Sequence, residues 1–215
     1  MGLLKKILKM PKNSKITLLF IILLLILVTS LTKYYGSTDI ADYSDTAKYF
    51  AGIYAADVRS SHSYLYGFMH FPFVGILENF FIFKITSLIF LLGIVYSVYI
   101  ISNKNPKSLL LMLFSPIVWY MAPWISPIQL SSLCLLWAYY FLNSYDKTGK
   151  ISNSIYTGLL IGLAIAFWDT MLFFGAFLVL PYLIDKKVSH LALITIAIFA
   201  GLLPRFILDY ALFNF

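Results

Sequence analysis

Three aspartates spaced three residues apart are the side chains of this sequence best suited to chemistry: Asp39, Asp42 and Asp45. Positions i, i+3 and i+6 follow one side of an α-helix, so a helix would present the three carboxylates together. An ionised carboxylate can act as a general base or bind a divalent cation. We therefore treat all three as candidate catalytic residues, with Asp39 and Asp42 as candidate ligands of a possible Mg or Mn ion.

The surrounding residues predict the helix that would carry these acids, over 39–52. Ser37 and Thr38 are suitable N-caps, and Gly52 is a suitable residue to close the helix. Asp39 would lie beside the positive end of the helix dipole, which keeps its carboxylate ionised at neutral pH. A purely structural interpretation stays open, because acids are common in the first helical turn and Asp39 could simply cap it.

Further polar side chains are candidates for substrate binding. Arg59, His62 and His70 follow the aspartates in one polar segment, whereas Asp169 and Arg205 lie near the ends of apolar runs. Ions at or inside a membrane are candidates for function, although snorkelling of Arg205 to the interface is the simpler explanation. The two histidines could join the aspartates around a metal, but their spacing matches no histidine ligand motif.

The composition points to a membrane protein. Of the 215 residues, 61% are hydrophobic and 12% are charged, against about 45–50% and about 25% in soluble domains. The net charge of +7 arises from basic residues between apolar runs, which is typical of topology signals and not of nucleic-acid binding. The single cysteine, Cys134, excludes an internal disulfide or a cysteine-based metal site.

Seven apolar runs predict an all-α, polytopic bundle of about seven transmembrane helices, with residues 1–215 as one module. The runs cover 16–31, 84–101, 109–121, 128–142, 155–168, 172–184 and 191–208. The first follows a lysine-rich stretch without a convincing cleavage site, so we expect an uncleaved signal anchor. The polar segment 32–72 would then form a long external loop carrying interfacial helices, the second of them within its aromatic part.

The distribution of positive charge predicts the direction of threading. With the N-terminus in the cytoplasm of a multi-pass cell-membrane protein, 11 of the 16 basic residues fall on the inner side, as the positive-inside rule requires. These are Lys5, Lys6, Lys9, Lys12, Lys15, Lys104, Lys107, Lys147, Lys150, Lys186 and Lys187.

The motifs of several common enzyme and transporter classes are absent from the sequence. The sequence contains no Walker loop, dinucleotide-binding turn, G-x-S-x-G elbow or H-E-x-x-H motif, so nothing supports nucleotide-driven transport, hydride transfer, serine hydrolysis or zinc proteolysis. A channel or carrier also has little support, because the predicted spans contain few polar side chains.

The order of these features resembles the membrane module of C-type glycosyltransferases (GT-C fold), which take sugars from polyprenyl-phosphate carriers. The segment 39–52 is similar to their Asp-x-x-x-Tyr-x-x-x-Ala pattern, and 66–73 to the aromatic and proline segment before their second span. The segment 115–130 is similar to their proline-broken third span and following turn, with Gln129 retained but the usual acid missing. The segment 156–169 is similar to a glycine-rich span, with Asp169 in place of a lysine.

The resemblance implies an inverting transfer outside the cytoplasm, from a polyprenyl-phosphate-linked sugar, such as a mannose-like hexose, to a lipid, glycan or protein acceptor. Asp39 would be the base, supported by Asp42 and Asp45. Gln129 and Asp169 would contact substrate. The negative charge of the leaving phosphate would be neutralised by positively charged side chains, and the candidates are Arg59, Arg205, His62 and His70.

The length and the composition of the chain lead to two further expectations. Family members continue through further spans, so this chain could be a minimal enzyme, half of a split enzyme that needs a second membrane subunit, or a non-catalytic module binding lipid or a partner. The isoleucine-rich, lysine-rich composition suggests a prokaryotic source, in particular an archaeal one.

Overall fold

A computed structural model describes residues 10–33, 39–53, 64–76, 79–185 and 188–213, and all regular structure in these ranges is helical. The predicted all-α class is therefore confirmed for this part of the chain. In chain order the helices are α1 (Lys12–Leu31), α2 (Asp39–Phe50), α3 (Tyr64–His70), α4 (Asn79–Ile101), α5 (Pro106–Phe114), α6 (Pro116–Met121), α7 (Ile128–Thr148), α8 (Ile151–Phe167), α9 (Met171–Ile184) and α10 (Val188–Phe213), with a 3-10 turn (Phe71–Phe73) after α3.

Three helices of the described ranges are long and apolar enough to cross a membrane: Lys12–Leu31, Phe80–Ile101 and Val188–Leu212. A straight helix needs about 20 residues to cross about 30 Å of hydrocarbon. Helices α8 and α9 are apolar but have only 17 and 14 residues. Membrane association follows from the three long helices, while the count of seven spans stays a prediction.

The predicted span 109–121 is two helices and not one. Asn105 caps α5 by accepting a hydrogen bond from the Lys107 backbone N–H at 3.0 Å, and the helix stops at Ser115, whose backbone is extended (φ −78°, ψ 114°). Pro116 causes this break, because proline disfavours helical geometry in the preceding residue and lacks an N–H. The indole of Trp119 donates to the Leu113 carbonyl at 2.6 Å across the break.

Contacts between helix ends show that successive long segments run in opposite directions. At one end, Lys84 of α4 donates to the Thr29 carbonyl of α1, and the Thr29 hydroxyl donates to the Ala122 carbonyl beyond α6 at 3.0 Å. At the other end, the side chains of Tyr145 and His190 join α7 to α10. We call the first the loop end, because α2 and α3 pack there, and the second the opposite end.

Helix α8 occupies the middle of the bundle and packs most extensively on α10 and α7. Its contact with α10 is made by backbone at Gly158, Gly162 and Gly201. A Cβ at Gly162 would collide with the Ile198 carbonyl and would lie 2.9 Å from the Gly201 Cα. Small residues spaced four apart allow such close approach of membrane helices, which associate by van der Waals packing.

The helices of the 32–72 loop are docked on the bundle. Gly52 (φ +72°) closes α2, with its N–H bonded to the Tyr49 carbonyl and the Ile53 N–H to the Lys48 carbonyl, which is the Schellman arrangement. The aromatic segment, expected as an interfacial helix, is a short α3 and a 3-10 turn. A shared apolar cluster joins both helices to the loop end: Ile40, Tyr43, Ala47, Leu65, Tyr66, Phe83, Ile125, Ala166, Phe167 and Leu208.

Candidate functional site at the loop end

The acidic helix α2 presents two described carboxylates along a half-buried side. Ile40, Tyr43 and Ala47 of α2 are buried in the apolar cluster, and Asp42 and Asp45 are half-buried. Asp45 forms an ion pair with Lys48 at 3.7 Å. The third predicted acid, Asp39, begins α2, and its side chain lies outside the described residues. The structure thus places these positions on one helix of the loop end.

Helix α3 contributes a buried polar chain that joins it to α4. Nδ1 of His70 lies 2.7 Å from the Tyr66 carbonyl, Nε2 lies 2.7 Å from the Thr86 hydroxyl, and the Tyr66 hydroxyl lies 3.2 Å from the Ser87 hydroxyl. The His70 ring also packs on Phe83, with 4.1 Å between centroids. Both ring nitrogens of His70 therefore have partners within the protein.

Burial controls the protonation of this chain of groups. It lowers the pKa of His70 to about 4 and raises the pKa of Tyr66 to about 12, because transfer from water penalises the charged form of each group. Both are neutral at physiological pH. His70 is consequently not arranged to supply positive charge to a phosphate, and its contacts fix α3 on the bundle.

Asp169 and Arg205, both predicted from the sequence as site residues, lie side by side. The Arg205 guanidinium donates from Nη1 to Oδ1 of Asp169, and Nη2 lies 3.5 Å from Oδ2. Nε of Arg205 lies 3.5 Å from Oδ2 of Asp209, one turn further along α10. We call these three residues the charged cluster. Because two carboxylates face one guanidinium, the positive charge of Arg205 is compensated.

An apolar open groove of about 640 Å³ runs between α7 and α9 and is lined at one end by the two sequence neighbours of Asp169. Tyr139, Phe174 and Phe177 line it and are exposed on the outer surface of the bundle. Trp168 and Thr170, which flank Asp169, form its loop end. An apolar surface that ends beside charged groups is suited to an amphiphilic molecule whose chain lies in the groove.

Gln129, in the first turn of α7, stabilises the preceding turn of the backbone through its side chain. Its Nε2 donates to the Trp124 carbonyl at 2.8 Å and to the Met121 carbonyl at 3.3 Å. The side chain, 1% exposed, thereby holds the turn between α6 and α7. Its Oε1 has no hydrogen-bond partner.

Lys84, the first residue of the predicted span 84–101, is a structural residue. Its ammonium donates to the Thr29 carbonyl at 3.0 Å and to the Thr32 carbonyl at 2.5 Å, at the C-terminal end of α1, where carbonyls lack helical partners and the helix dipole is negative. A lysine within an otherwise apolar run was the available signal.

The remaining site predictions are not brought together by the described residues. Arg59 and His62 lie outside the described ranges. Among the side chains that the structure does describe, no three His, Cys, Asp or Glu residues form a metal site. A Mg or Mn site that includes Asp39 with Asp42 therefore stays a prediction.

Comparisons of the chain with protein-family models, with curated proteins and with solved structures find no match.

Proposed function

We propose that the chain is a multi-pass glycosyltransferase of the cell membrane that works on the extracytoplasmic side. It would move a sugar, such as a mannose-like hexose, from a polyprenyl-phosphate carrier to a lipid, glycan or protein acceptor with inversion. The observation that carries the proposal is the open groove ending at Trp168 and Thr170, next to the charged cluster. The chain of the carrier would lie in the groove and its polar head among charged side chains.

The position of α2 supports the same arrangement. Its aspartates belong to a helix packed on the loop end, and α3 contacts both α8 and α10. Carboxylates and the charged cluster thus occupy one end of the bundle. Helix α10 begins at the opposite end of the bundle and has 26 residues. Arg205 and Asp209, near its C-terminus, therefore lie at the end where the loop helices pack.

The reaction would proceed by direct displacement. The acceptor hydroxyl oxygen attacks the anomeric carbon, the bond from that carbon to the phosphate oxygen breaks, and the lipid phosphate leaves with the bonding electron pair. A carboxylate takes the acceptor proton. Asp39 is our candidate base, with Asp42 and Asp45 supporting it or, with Asp39, binding Mg or Mn. Arg205 would exchange a carboxylate partner for the departing phosphate.

Transfer from radiolabelled polyprenyl-phosphate sugars tests the proposal, in membranes containing the wild type, Asp39→Asn or Arg205→Gln, with and without EDTA. We expect Asp39→Asn to reduce transfer at least about a hundredfold, the usual scale for removal of a general base. Asp185→Asn, at the opposite end, is the matched control and should retain activity. Full transfer by Asp39→Asn would exclude Asp39 as the base.

The charge balance of the cluster favours a second candidate, a non-catalytic module that binds lipid or a second membrane subunit. Arg205 is already paired with Asp169 and Asp209, and His70 is neutral and buried, so neither offers uncompensated charge to a phosphate. Purified chain that binds the lipid carrier but transfers no sugar from any donor would favour this candidate. Activity that appears on adding a membrane fraction would indicate a partner.

A further inference from the structure

Four lysines lie at the opposite end of the bundle, where α1 begins and where α4 turns into α5. Lys12 and Lys15 belong to the first turn of α1, Lys104 to the turn after α4, and Lys107 to the first turn of α5. Lys12, Lys104 and Lys107 are exposed, and Lys15 is half-buried. We call these four residues the basic face.

The packing of α1 against α4 and α5 brings these lysines to one side of the bundle. One buried apolar cluster joins the three helices and includes Leu18, Tyr99 and Leu109. Both α1 and the α5–α6 segment run from this end to the hydrogen bond between Thr29 and Ala122 at the loop end. Lys15 and Lys107 therefore lie near the start of two neighbouring segments that run in the same direction.

The helices that carry the basic face have no acidic side chain. Neither 1–38 nor 79–145, the segments that contain α1 and α4 to α6, includes an Asp or Glu residue. Among the ion pairs within the described ranges, none involves Lys12, Lys104 or Lys107. The positive-inside rule accounts for lysines at this end, but acidic residues contribute little to threading. The basic face thus has a positive charge that its own helices leave uncompensated, and topology does not require this.

The lysines of the α7–α8 turn have a different environment at the same end. Lys147 and Lys150 are exposed, but Asp146 adjoins them in the chain and accepts a hydrogen bond from the Tyr182 hydroxyl at 2.5 Å. Asp185 follows α9 close by in the chain. The charges on this side of the end are therefore mixed in sign.

Exposed apolar side chains continue from the basic face along both helices. One turn after the lysines they are Ile16 and Leu19 on α1, and Leu110 and Leu111 on α5. Residues three or four apart are neighbours on the surface of a helix. Ammonium groups followed by aliphatic side chains match a phospholipid, which has a phosphate followed by acyl chains. A soluble acidic protein would match only the charged part.

We propose that the basic face binds an anionic phospholipid, whose phosphate contacts Lys12 and Lys107 and whose acyl chains lie on the exposed aliphatic side chains of α1 and α5. A lysine beside an anionic leaflet strengthens binding roughly fivefold. Anionic lipids are concentrated in the cytoplasmic leaflet, which is the side where the predicted threading places this end. The inference does not depend on the proposed transferase activity, because that site lies at the loop end.

Native mass spectrometry of the purified full-length chain in detergent tests the inference. The chain is titrated with phosphatidylglycerol or with phosphatidylcholine of identical acyl chains, so only the headgroup differs. We expect phosphatidylglycerol to bind at least about tenfold more tightly, and this preference to shrink as salt is added, because salt screens exposed charges. Neither inorganic phosphate nor a poly-glutamate peptide at the same concentration should displace the lipid, since neither has acyl chains.

Two double variants remove equal charge from the same end of the bundle. Lys12→Gln with Lys107→Gln takes one lysine from each helix of the basic face and should weaken phosphatidylglycerol binding at least about tenfold, since two factors of about fivefold are lost. Lys147→Gln with Lys150→Gln is the matched control and should leave binding nearly unchanged. All four side chains are exposed, so both proteins should fold. Lys12→Arg with Lys107→Arg keeps the charges and should keep the binding.

Four results would overturn the inference. Equal binding of the two lipids would show that the charge of the headgroup is not recognised. Equal weakening in the two double Gln variants would show a response to net charge and not a site on α1 and α5. Displacement of the lipid by inorganic phosphate would indicate a site for a free anion, and displacement by poly-glutamate would indicate one for an acidic protein segment.

Discussion

A charged side chain in an apolar run can hold the structure together, and Lys84 is the clearest example. Its ammonium reaches two carbonyls at the end of α1. The sequence shows a lysine in an apolar run, but it does not show which helix the side chain contacts. The partner is more than 50 residues away, so only the packed bundle identifies it.

We expect Lys84→Met to destabilise the protein by about 2 kcal/mol, since each hydrogen bond to a charged group contributes about 1.5–3 kcal/mol and the bonds are only partly buried. Thermal unfolding of the purified protein in detergent measures the change. Lys33→Met, at an exposed position of the same end, is the control and should unfold like the wild type. Equal unfolding temperatures for all three proteins would show that the Lys84 contacts add no net stability.

His70 should make stability depend on pH. Burial lowers its pKa from 6.5 to about 4, so as pH falls the unfolded chain takes up a proton first. The stability associated with neutral His70 is therefore complete above about pH 6.5 and is lost progressively towards pH 4, by up to about 3 kcal/mol.

Chemical unfolding of the wild type and His70→Gln between pH 7.5 and 4 measures this contribution. Glutamine retains a donor and an acceptor but does not titrate in this range. The variant should lose less stability than the wild type as pH falls. Parallel pH profiles would contradict the assigned burial of His70.

The two partners Asp169 and Arg205 illustrate what residue types alone can and cannot tell. Each was a candidate because a charge near an apolar run is costly unless it has a use. Their ion pair spans 36 residues, and α9 lies between them in sequence, so spacing could not predict it. Nor could it predict Asp209 as the second carboxylate, because an acid one turn after Arg205 looks like an ordinary helix-surface pair.

At the scale of elements, the helices themselves were predictable because apolar runs, glycine and proline mark them locally. The run 172–184 corresponds to α9 almost residue for residue, and Gly52 closes α2. The resemblance to proline-broken spans indicated a break near Ser115. The apolar run 109–121 continues across that position, however, and predicted a single helix. Docking of α2 and α3 could not be predicted, since it depends on surfaces from α4, α8 and α10 that meet only in the fold.

The contact of α8 with α10 should be highly sensitive to side-chain size. Gly162→Leu would force the two backbones apart, and we expect it to lower the free energy of unfolding by at least about 2 kcal/mol, as overpacking of a tight core does. Thermal unfolding in detergent measures this. Gly75→Leu is the matched control, because a Cβ there meets nothing within 4 Å and the residue does not have positive φ. Similar losses in both variants would argue against the close contact.

At the scale of the whole molecule, the proposed direction in the membrane can be measured. The single cysteine is buried, so Cys134→Ala gives a background for new cysteines. With the N-terminus in the cytoplasm, Gly75→Cys at the loop end should react with a membrane-impermeant maleimide in intact cells. Lys107→Cys, in the first turn of α5 at the opposite end of the bundle, should react only after permeabilisation.

The reverse labelling pattern would place α2 and the charged cluster on the cytoplasmic side and remove the basis for an extracytoplasmic transferase. Reaction of both cysteines in intact cells would contradict a bundle that crosses the membrane between them. Asp185→Cys and Val74→Cys provide a second labelling position at each end.

The backbone contact of Gly158 and Gly162 with Gly201 has a consequence for sequence divergence. Apolar side chains such as Phe173 and Ile196 are exposed on the surface of the bundle, so one apolar residue there can replace another over evolutionary time. The three glycines face carbonyls and Cα atoms that cannot move aside, so drift at these positions is confined to the smallest side chains. Distant descendants of this chain would keep a Gly-x-x-x-Gly pair followed by a third glycine 39 residues later, even where every aromatic and charged position had changed.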